Sequence, residues 1–348
     1  MSVAHGGAVT GGQGCIVSFG EVLLRLAAPA GELLLQQMRL EPSIGGAEAN
    51  VAVALAGFGH DARLVTALPD NALGTAAERI LRGLGVTMRA RNIGGGRMGI
   101  YFLQPGAMTR PASVTYDRAG SAFAGVDPAG YDWPALLDGA GWLFASGITA
   151  ALGDNALAAL RAAIAAAQAA GVKIAFDTNF RPSLWQGREG EAAKVLRELS
   201  CEADLLFAGR RAVAMMAGGD YSGGDPAKGF HAAAQAMFAL SPRIRHMAAT
   251  RREISSSDRQ DITGLLADRE GLSVSRSISL ENIVDRVGTG DAFAAGIVHG
   301  LLTGMDRDAA IGFATACLEW AHSVPGDFLR ATLADIAALG PGSADVRR

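Results

Sequence analysis

Short apolar runs of β type alternate with longer stretches of helical periodicity along most of this chain, and that rhythm constrains the fold more than any single residue does. Cys15–Phe19 is apolar and stops at Gly20, Gly45–Phe58 is helical and rich in small residues, and Ala62–Ala67 reads as a strand. Ala72–Gly83 follows as an amphipathic helix, with Leu73, Ala76, Ala77, Ile80 and Leu81 at helical spacing. Trp142–Ala145, Val172–Phe176, Asp204–Ala208 and His246–Thr250 read as further strands, and the helix at about 154–170 ends on Gly171, a left-handed cap. Strands separated by helices pair in parallel through right-handed crossovers, which implies an α/β sandwich whose mostly parallel sheet is covered on both faces.

Two segments break the rhythm. Residues 21–44 and 97–123 alternate and turn more, and they predict a small secondary sheet, a lid, inserted into the α/β body. No repeat or domain linker is visible. With 348 residues, 49% of them hydrophobic, there is apolar material for one large body. It is expected over 15–335, between a flexible N-terminal tail (1–14) and a C-terminal tail (336–348).

A formal net charge of -3, with both signs spread throughout, gives no electrostatic reason for nucleic acid or anionic lipid as a partner. The three cysteines are far apart and the six histidines are scattered, so no disulfide framework and no zinc site are expected. The N-terminus lacks a basic segment followed by an apolar one, and the Ala-rich run at 156–170 is broken by Arg161 and Gln168. A cytoplasmic protein is expected.

Two motifs can carry chemistry. Asp285-Arg286-Val287-Gly288-Thr289-Gly290-Asp291 precedes a helix of small residues. Its glycines let the backbone approach a phosphate, and the helix terminus aims N–H groups and a positive dipole at the same point. Asp291 at that junction can take a proton from an alcohol while Gly288 and Gly290 help bind the transferring phosphoryl group. Taken alone, the stretch is equally well a helix N-terminus with a favoured acidic residue. The second motif is Gly45-Gly46-Ala47-Glu48-Ala49-Asn50, a glycine turn entering a helix, where the Asn50 amide suits a sugar hydroxyl; a close-packed Ala-rich helix is the plainer reading. A match to GxGxxG at 94–99 is a decoy, because a strand-like run follows it where a helix is required.

Together, in this order and at this separation, the two motifs resemble the N-terminal and C-terminal signatures of the PfkB, or ribokinase-like, carbohydrate kinases, over about residues 15–335. The resemblance implies a three-layer α/β sandwich with a β lid over the sugar, ATP and Mg2+ as co-substrate and cofactor, and Asp291 as catalytic base. GEVLLRL (20–26), the stretch 96–124, DTNFRPSLW (177–185), TRREISSSD (250–258) and HSVPGDF (322–328) are most similar to the 2-keto-3-deoxygluconate kinases. By that similarity Gly46, Asn50, Tyr101, Tyr116, Arg118, Arg181, Asp291 and Asp327 contact a sugar acid. Asn179, Arg181, Thr250, Arg251, Arg252, Gly288, Thr289 and Gly290 contact ATP. Arg181 is open to either role, and the arginines suit a carboxylate or a phosphate.

The chain departs from the family at two places. Gly209-Arg210-Arg211-Ala212 stands where many relatives carry Asn-x-x-Glu, so magnesium is expected to be held mainly by nucleotide phosphates and water, with Arg210 or Arg211 either compensating or lying on the surface. TRREIS (250–255) stands where many carry a glycine-rich nucleotide loop. Asp285 matches a carboxylate that related kinases place in a monovalent-cation site, which implies stimulation by K+. The exposed strands of a lid imply a homodimer formed through it. The rival readings are a kinase for another sugar, such as 2-keto-3-deoxygalactonate or fructose, and a non-catalytic sugar-binding relative.

Overall fold

The computed structural model describes residues 14–339. Most of the expected 1–14 tail, and 340–348 of the expected 336–348 tail, lie outside the described residues. Two sheets organise the chain. The strands are β1 (Cys15–Phe19), β2 (Leu23–Ala27), β3 (Glu41–Gly45), β4 (Asp61–Pro69), β5 (Thr87–Ile93), β6 (Gly99–Gln104), β7 (Ser113–Asp117), β8 (Trp142–Ser146), β9 (Lys173–Asp177), β10 (Leu205–Phe207), β11 (His246–Ile254), β12 (Arg259–Asp268), β13 (Leu272–Val274) and β14 (Ile278–Glu281).

The large sheet runs β13-β12-β11-β10-β9-β8-β1-β4-β5, with β14 also paired to β12. From β11 through β1 to β5 every pairing is parallel. Because side chains alternate across a strand, neighbouring residues enter different cores. Ile16 and Phe144 join the core formed with helices Ala47–Gly57, Thr289–Leu302 and Arg307–Ala321, while Val17 and Leu143 join the one formed with Asp154–Ala169, Glu189–Cys201 and Pro226–Leu240.

The sheet is mostly parallel, as expected, and departs from that at one edge, where β12 pairs antiparallel with β11, β13 and β14. The cause is local: only turn-length connections separate these strands, and only antiparallel neighbours can be joined so tightly. β11 also runs to Ile254, so TRREI is strand rather than loop. At the other end of the chain, the expected C-terminal tail begins inside the helix Leu333–Ala337. Thr332 and Asp335 form its capping box, and Ile336 packs into the core.

The lid is a four-stranded sheet, β3-β2-β6-β7, drawn from the two segments that broke the β/α rhythm. Leu23, Ala27, Tyr101 and Leu103 form its small core, against which Tyr116 and Val287 pack. The lid thus rests on the segment that leads into the helix at Thr289.

Candidate active site

A cleft of about 1140 Å³ opens between the lid and the ends of the parallel strands. It lies where the order reverses, with β1 flanked by β8 on one side and β4 on the other, the place where open α/β sheets receive ligands. Of the residues expected to bind substrate or ATP, all but Arg251 line it: Gly46, Asn50, Tyr101, Tyr116, Arg118, Asn179, Arg181, Thr250, Arg252, Gly288, Thr289, Gly290, Asp291 and Asp327. Alternation along β11 turns Arg251 away from Thr250 and Arg252, and it pairs with Glu253 on its own side of the strand.

The two glycine turns are built as their glycines require. Gly288 has φ of 77°, and a Cβ there would collide with the carbonyl oxygen of Asp327. Gly46 has φ of 144°, and a Cβ there would strike the carbonyl of Glu21. Only glycine lets the two turns close against these backbones. The helix Thr289–Leu302 then starts two residues earlier than Asp291, so Asp291 sits in its first turn, among N–H groups that have no partner within the helix.

Asn50 Nδ2 donates to Asp291 Oδ2 at 2.6 Å, joining the two motifs across 241 positions. Loss of hydration raises the Asp291 carboxyl to about 8; the Asn50 bond opposes the rise, and Asp177 and Glu48 add to it. Glu48 is itself buried and raised to about 7, although Ser146 Oγ donates to its Oε1 at 2.6 Å. Burial brings Asp177 to about 6 against the Asn179 N–H, which donates to Oδ1 at 2.9 Å, and against the Arg181 charge. Burial thus raises all three carboxyl groups of the cleft, Asp177 adds to the rise of Glu48, and both add to that of Asp291. A carboxyl poised near the working pH is what proton abstraction from an alcohol requires.

The opposite wall is cationic. Arg181, Arg211, Arg252 and Arg286 all line the cleft. Arg252 remains accessible from its open side, yet loss of hydration and the neighbouring Arg286 and Arg181 lower its guanidinium to about 10. Among the described residues the Arg181 guanidinium donates to no protein group, so crowded positive charge awaits an anion here. Arg210 and Arg211 separate cleanly: Arg210 Nη1 donates to the Tyr221 carbonyl at 2.9 Å, outside the cleft, while Arg211 faces in.

The lid residues are more committed than the sequence suggests. Arg118 donates through Nε (2.8 Å) and Nη2 (2.5 Å) to Glu21 Oε2, with both residues buried, and its guanidinium lies 5.6 Å from the Tyr116 ring centre. Tyr101 donates its hydroxyl to Asp327 at 2.7 Å. Asp327 also accepts from Arg25 Nη1 at 2.9 Å, and Arg25 Nη2 reaches Asp285 Oδ2 at 2.5 Å. Burial raises the Asp327 carboxyl above the usual carboxylate range, with Arg25 opposing.

Asp285, expected to hold a monovalent cation, does not fit one. Its Oδ1 accepts the N–H groups of Arg286 (2.7 Å) and Val287 (3.0 Å), and Oδ2 accepts from Arg25 and from the Gly326 N–H (3.0 Å). Two donors on each oxygen fill the sites at which an alkali ion would bind.

Glu21, Arg25, Asp177 and Arg286 were not among the expected site residues, and Glu48 was expected only as part of the run from Gly46 to Asn50. All five stand inside stretches already singled out, GEVLLRL, GGAEAN, DTNF and DRVGTGD. For all but Arg25 the readable signal was a charged residue near a strand end or a glycine turn, where an uncompensated charge is costly; Arg25 stands mid-strand in β2.

The pfkB family carbohydrate kinase model matches residues 14–250 and 264–327. A 2-dehydro-3-deoxygalactonokinase of Haloferax volcanii is 30% identical over 334 residues, covering 96% of this chain and 99% of that protein. A 2-dehydro-3-deoxygluconokinase of Thermoproteus tenax is 32% identical over 197 residues, 55% of this chain and 58% of its own length. The crystal structure of the 2-dehydro-3-deoxygluconokinase from Thermotoga maritima superposes with a TM-score of 0.88 at 36% identity, covering 93% of this chain and 98% of that one. With both signatures facing one cleft and the family model matched across most of its length, this chain belongs to the pfkB family of carbohydrate kinases.

Proposed function

We propose that this kinase phosphorylates 2-keto-3-deoxygluconate with ATP, giving the 6-phosphate and ADP. The observation that carries the reading is the placement of Asp291. It stands in the first turn of the phosphate-loop helix, is held by Asn50 at 2.6 Å, and has a proton affinity raised to the physiological range.

In this mechanism the nucleotide phosphates lie along Arg252, Arg286 and the N–H groups of the Thr289 turn. The C6 hydroxyl of the sugar acid meets Asp291 at Oδ1, the carboxylate oxygen that Asn50 does not hold. As its oxygen bonds to the γ-phosphorus, the proton passes to Asp291 and the bond from that phosphorus to the β-phosphate oxygen breaks, releasing ADP. The helix terminus and the arginine wall stabilise the charge spread over the transferring group. Magnesium supplies charge neutralisation on the phosphates. The carboxylate oxygens of Asp177 and Asp291, which line the cleft, are hard donors that would meet its water shell, while the nucleotide phosphates would hold the ion itself.

A sugar acid is favoured over a neutral hexose by the surplus of guanidinium groups facing the cleft, Arg181 above all, since among the described residues its guanidinium makes no hydrogen bond or ion pair. Arg118 presents the sugar with Nη1 while Glu21 fixes the rest of its fork. Thr250 and Asn179 complete the nucleotide side. The likeness to the Haloferax volcanii enzyme keeps the C4 epimer, 2-keto-3-deoxygalactonate, as the second reading. No described helix is long and apolar enough to cross a membrane, and we assign the protein to the cytoplasm, where ATP and sugar acids meet.

ATP consumption measured against a panel of both epimers, gluconate, fructose and ribose tests the reading. The highest kcat/KM should belong to 2-keto-3-deoxygluconate. A neutral sugar turned over faster than either keto-deoxy acid would overturn the substrate class.

A further inference from the structure

Arg25 belongs to the lid strand β2, yet it meets Asp285 and Asp327, which lie 260 and 302 positions away. The exposed fractions of the three side chains are 7%, 7% and 3%, so the group is largely withdrawn from water. Two buried carboxylates beside a phosphate loop need a cation, since neither can be left uncompensated. The donors to Asp285 leave no lone pair for a metal ion, and among the described residues the guanidinium is the only cationic group bonded to this carboxylate pair.

The cluster also reaches the reacting loop. Asp285 gathers the N–H groups of Arg286 and Val287 immediately before Gly288, and the Asp327 carbonyl is the surface against which Gly288 closes. Tyr101, from β6, donates to Asp327 as well. One guanidinium therefore ties a lid strand to both loops that shape the anion site.

We propose that Arg25 is the resident cation of the phosphate loop: it takes the place of a bound alkali ion, so catalysis is independent of K+, and it couples the lid's seating to the geometry of Gly288–Asp291. The proposal rests on reading that loop as the phosphoryl-transfer site. Arg25 is a positioning residue, since it touches neither reacting atom. A guanidinium suits the role because it stays charged at every physiological pH and its planar fork spans two carboxylates at once. Lysine offers a single point charge and cannot bridge them in the same way.

The experiment compares the full-length protein in potassium chloride and in tetramethylammonium chloride, at equal ionic strength and fixed magnesium. Turnover should agree within about twofold and the melting temperature should not move, because no cation binds. Arg25→Ala should lose about 10²-fold in kcat/KM, the usual scale for removing one member of a buried charged pair. Added K+ or guanidinium ion should then restore about tenfold of the loss, a response that disrupted packing alone would not give. Arg25→Lys should fall between wild type and Arg25→Ala.

Potassium that stimulates the wild type severalfold, or raises its melting temperature where tetramethylammonium does not, overturns the proposal. So does an Arg25→Ala variant with wild-type turnover, or one that neither cation restores. Should Arg25→Ala fail to fold, the wild-type salt comparison and Arg25→Lys still decide the matter. If no sugar acid is phosphorylated in any salt, the proposed substrate fails, while the melting comparison still reports on the cation.

Discussion

Replacing Asp291 by asparagine should abolish turnover and, at the same time, stabilise the protein. The amide keeps the shape, and its oxygen can still accept the Asn50 hydrogen bond, so packing is preserved. General-base assistance contributes about 10²–10⁴-fold, and turnover should fall at least that far. The stability effect follows from proton linkage. The carboxyl is raised from 3.8 to about 8 in the folded protein, so the folded state holds this proton more tightly than the unfolded chain does. Its contribution is neutral below about pH 4 and costs stability increasingly as the pH climbs towards 8. At pH 7 the gap between solution pH and the unfolded pKa is about 3 units, or about 4 kcal/mol at about 1.4 kcal/mol per unit. Interactions among the three carboxyl groups and partial solvation reduce this, and about 2 kcal/mol is a reasonable working figure. For a chain of this size that is a rise of about 3 °C in melting temperature. Thermal unfolding from pH 5 to pH 8 should show the variant gaining on wild type as pH rises. A variant that melts lower at pH 8, or a gap independent of pH, would refute the electrostatic reasoning. Retention of more than a tenth of wild-type turnover, with chemistry rate-limiting, would refute Asp291 as the base.

Further outcomes follow from the same cleft. The kcat/KM for the sugar should rise with pH through a midpoint near 8, because Asp291 must shed its proton to act, and a profile flat from pH 6 to 9 would count against this. Arg118→Ala should raise the KM for the sugar acid by about 30-fold or more while barely moving that for ATP, and should erase most of the preference over neutral hexoses. It also strands the buried Glu21, so the melting temperature should drop; Arg118→Ala combined with Glu21→Gln should recover stability but not sugar-acid affinity. The outer lid strand β7 exposes Val114 and most of its backbone edge, and pairing there should give a homodimer. Light scattering at micromolar concentration checks this, and a monomer would reject it.

Much of this protein was legible from residues close together in sequence. Helical spacing within Ala72–Gly83 delimited that helix to the residue, and the apolar run Cys15–Phe19 delimited β1. The loss of β/α rhythm at 21–44 and 97–123 located the lid. The glycines at 46 and 288 announced turns that other residues could not adopt. These signals are local: dihedral preference, capping and side-chain period act over a turn or a strand, and a single sequence displays them in full. The antiparallel edge β12–β14 was less legible, because a short connection allows a hairpin without requiring one.

What the tertiary structure alone decided is which charges meet. Sequence reasoning made Arg118 a free clamp for substrate, Asp285 a cation ligand and Arg251 a nucleotide contact; folding paired Arg118 with Glu21, Asp285 with Arg25, and Arg251 with Glu253. It also buried Glu48, Asp177 and Asp291 in one cleft, where the first two add to the proton affinity that burial gives Asp291. A carboxylate's partner depends on where sheet and lid pack, over separations of up to 302 positions, and nothing in the chain near Asp327 or Arg25 encodes that distance. The residue types that do the chemistry belong to the sequence, whereas the state of charge in which they do it belongs to the burial and pairing that only the folded chain imposes.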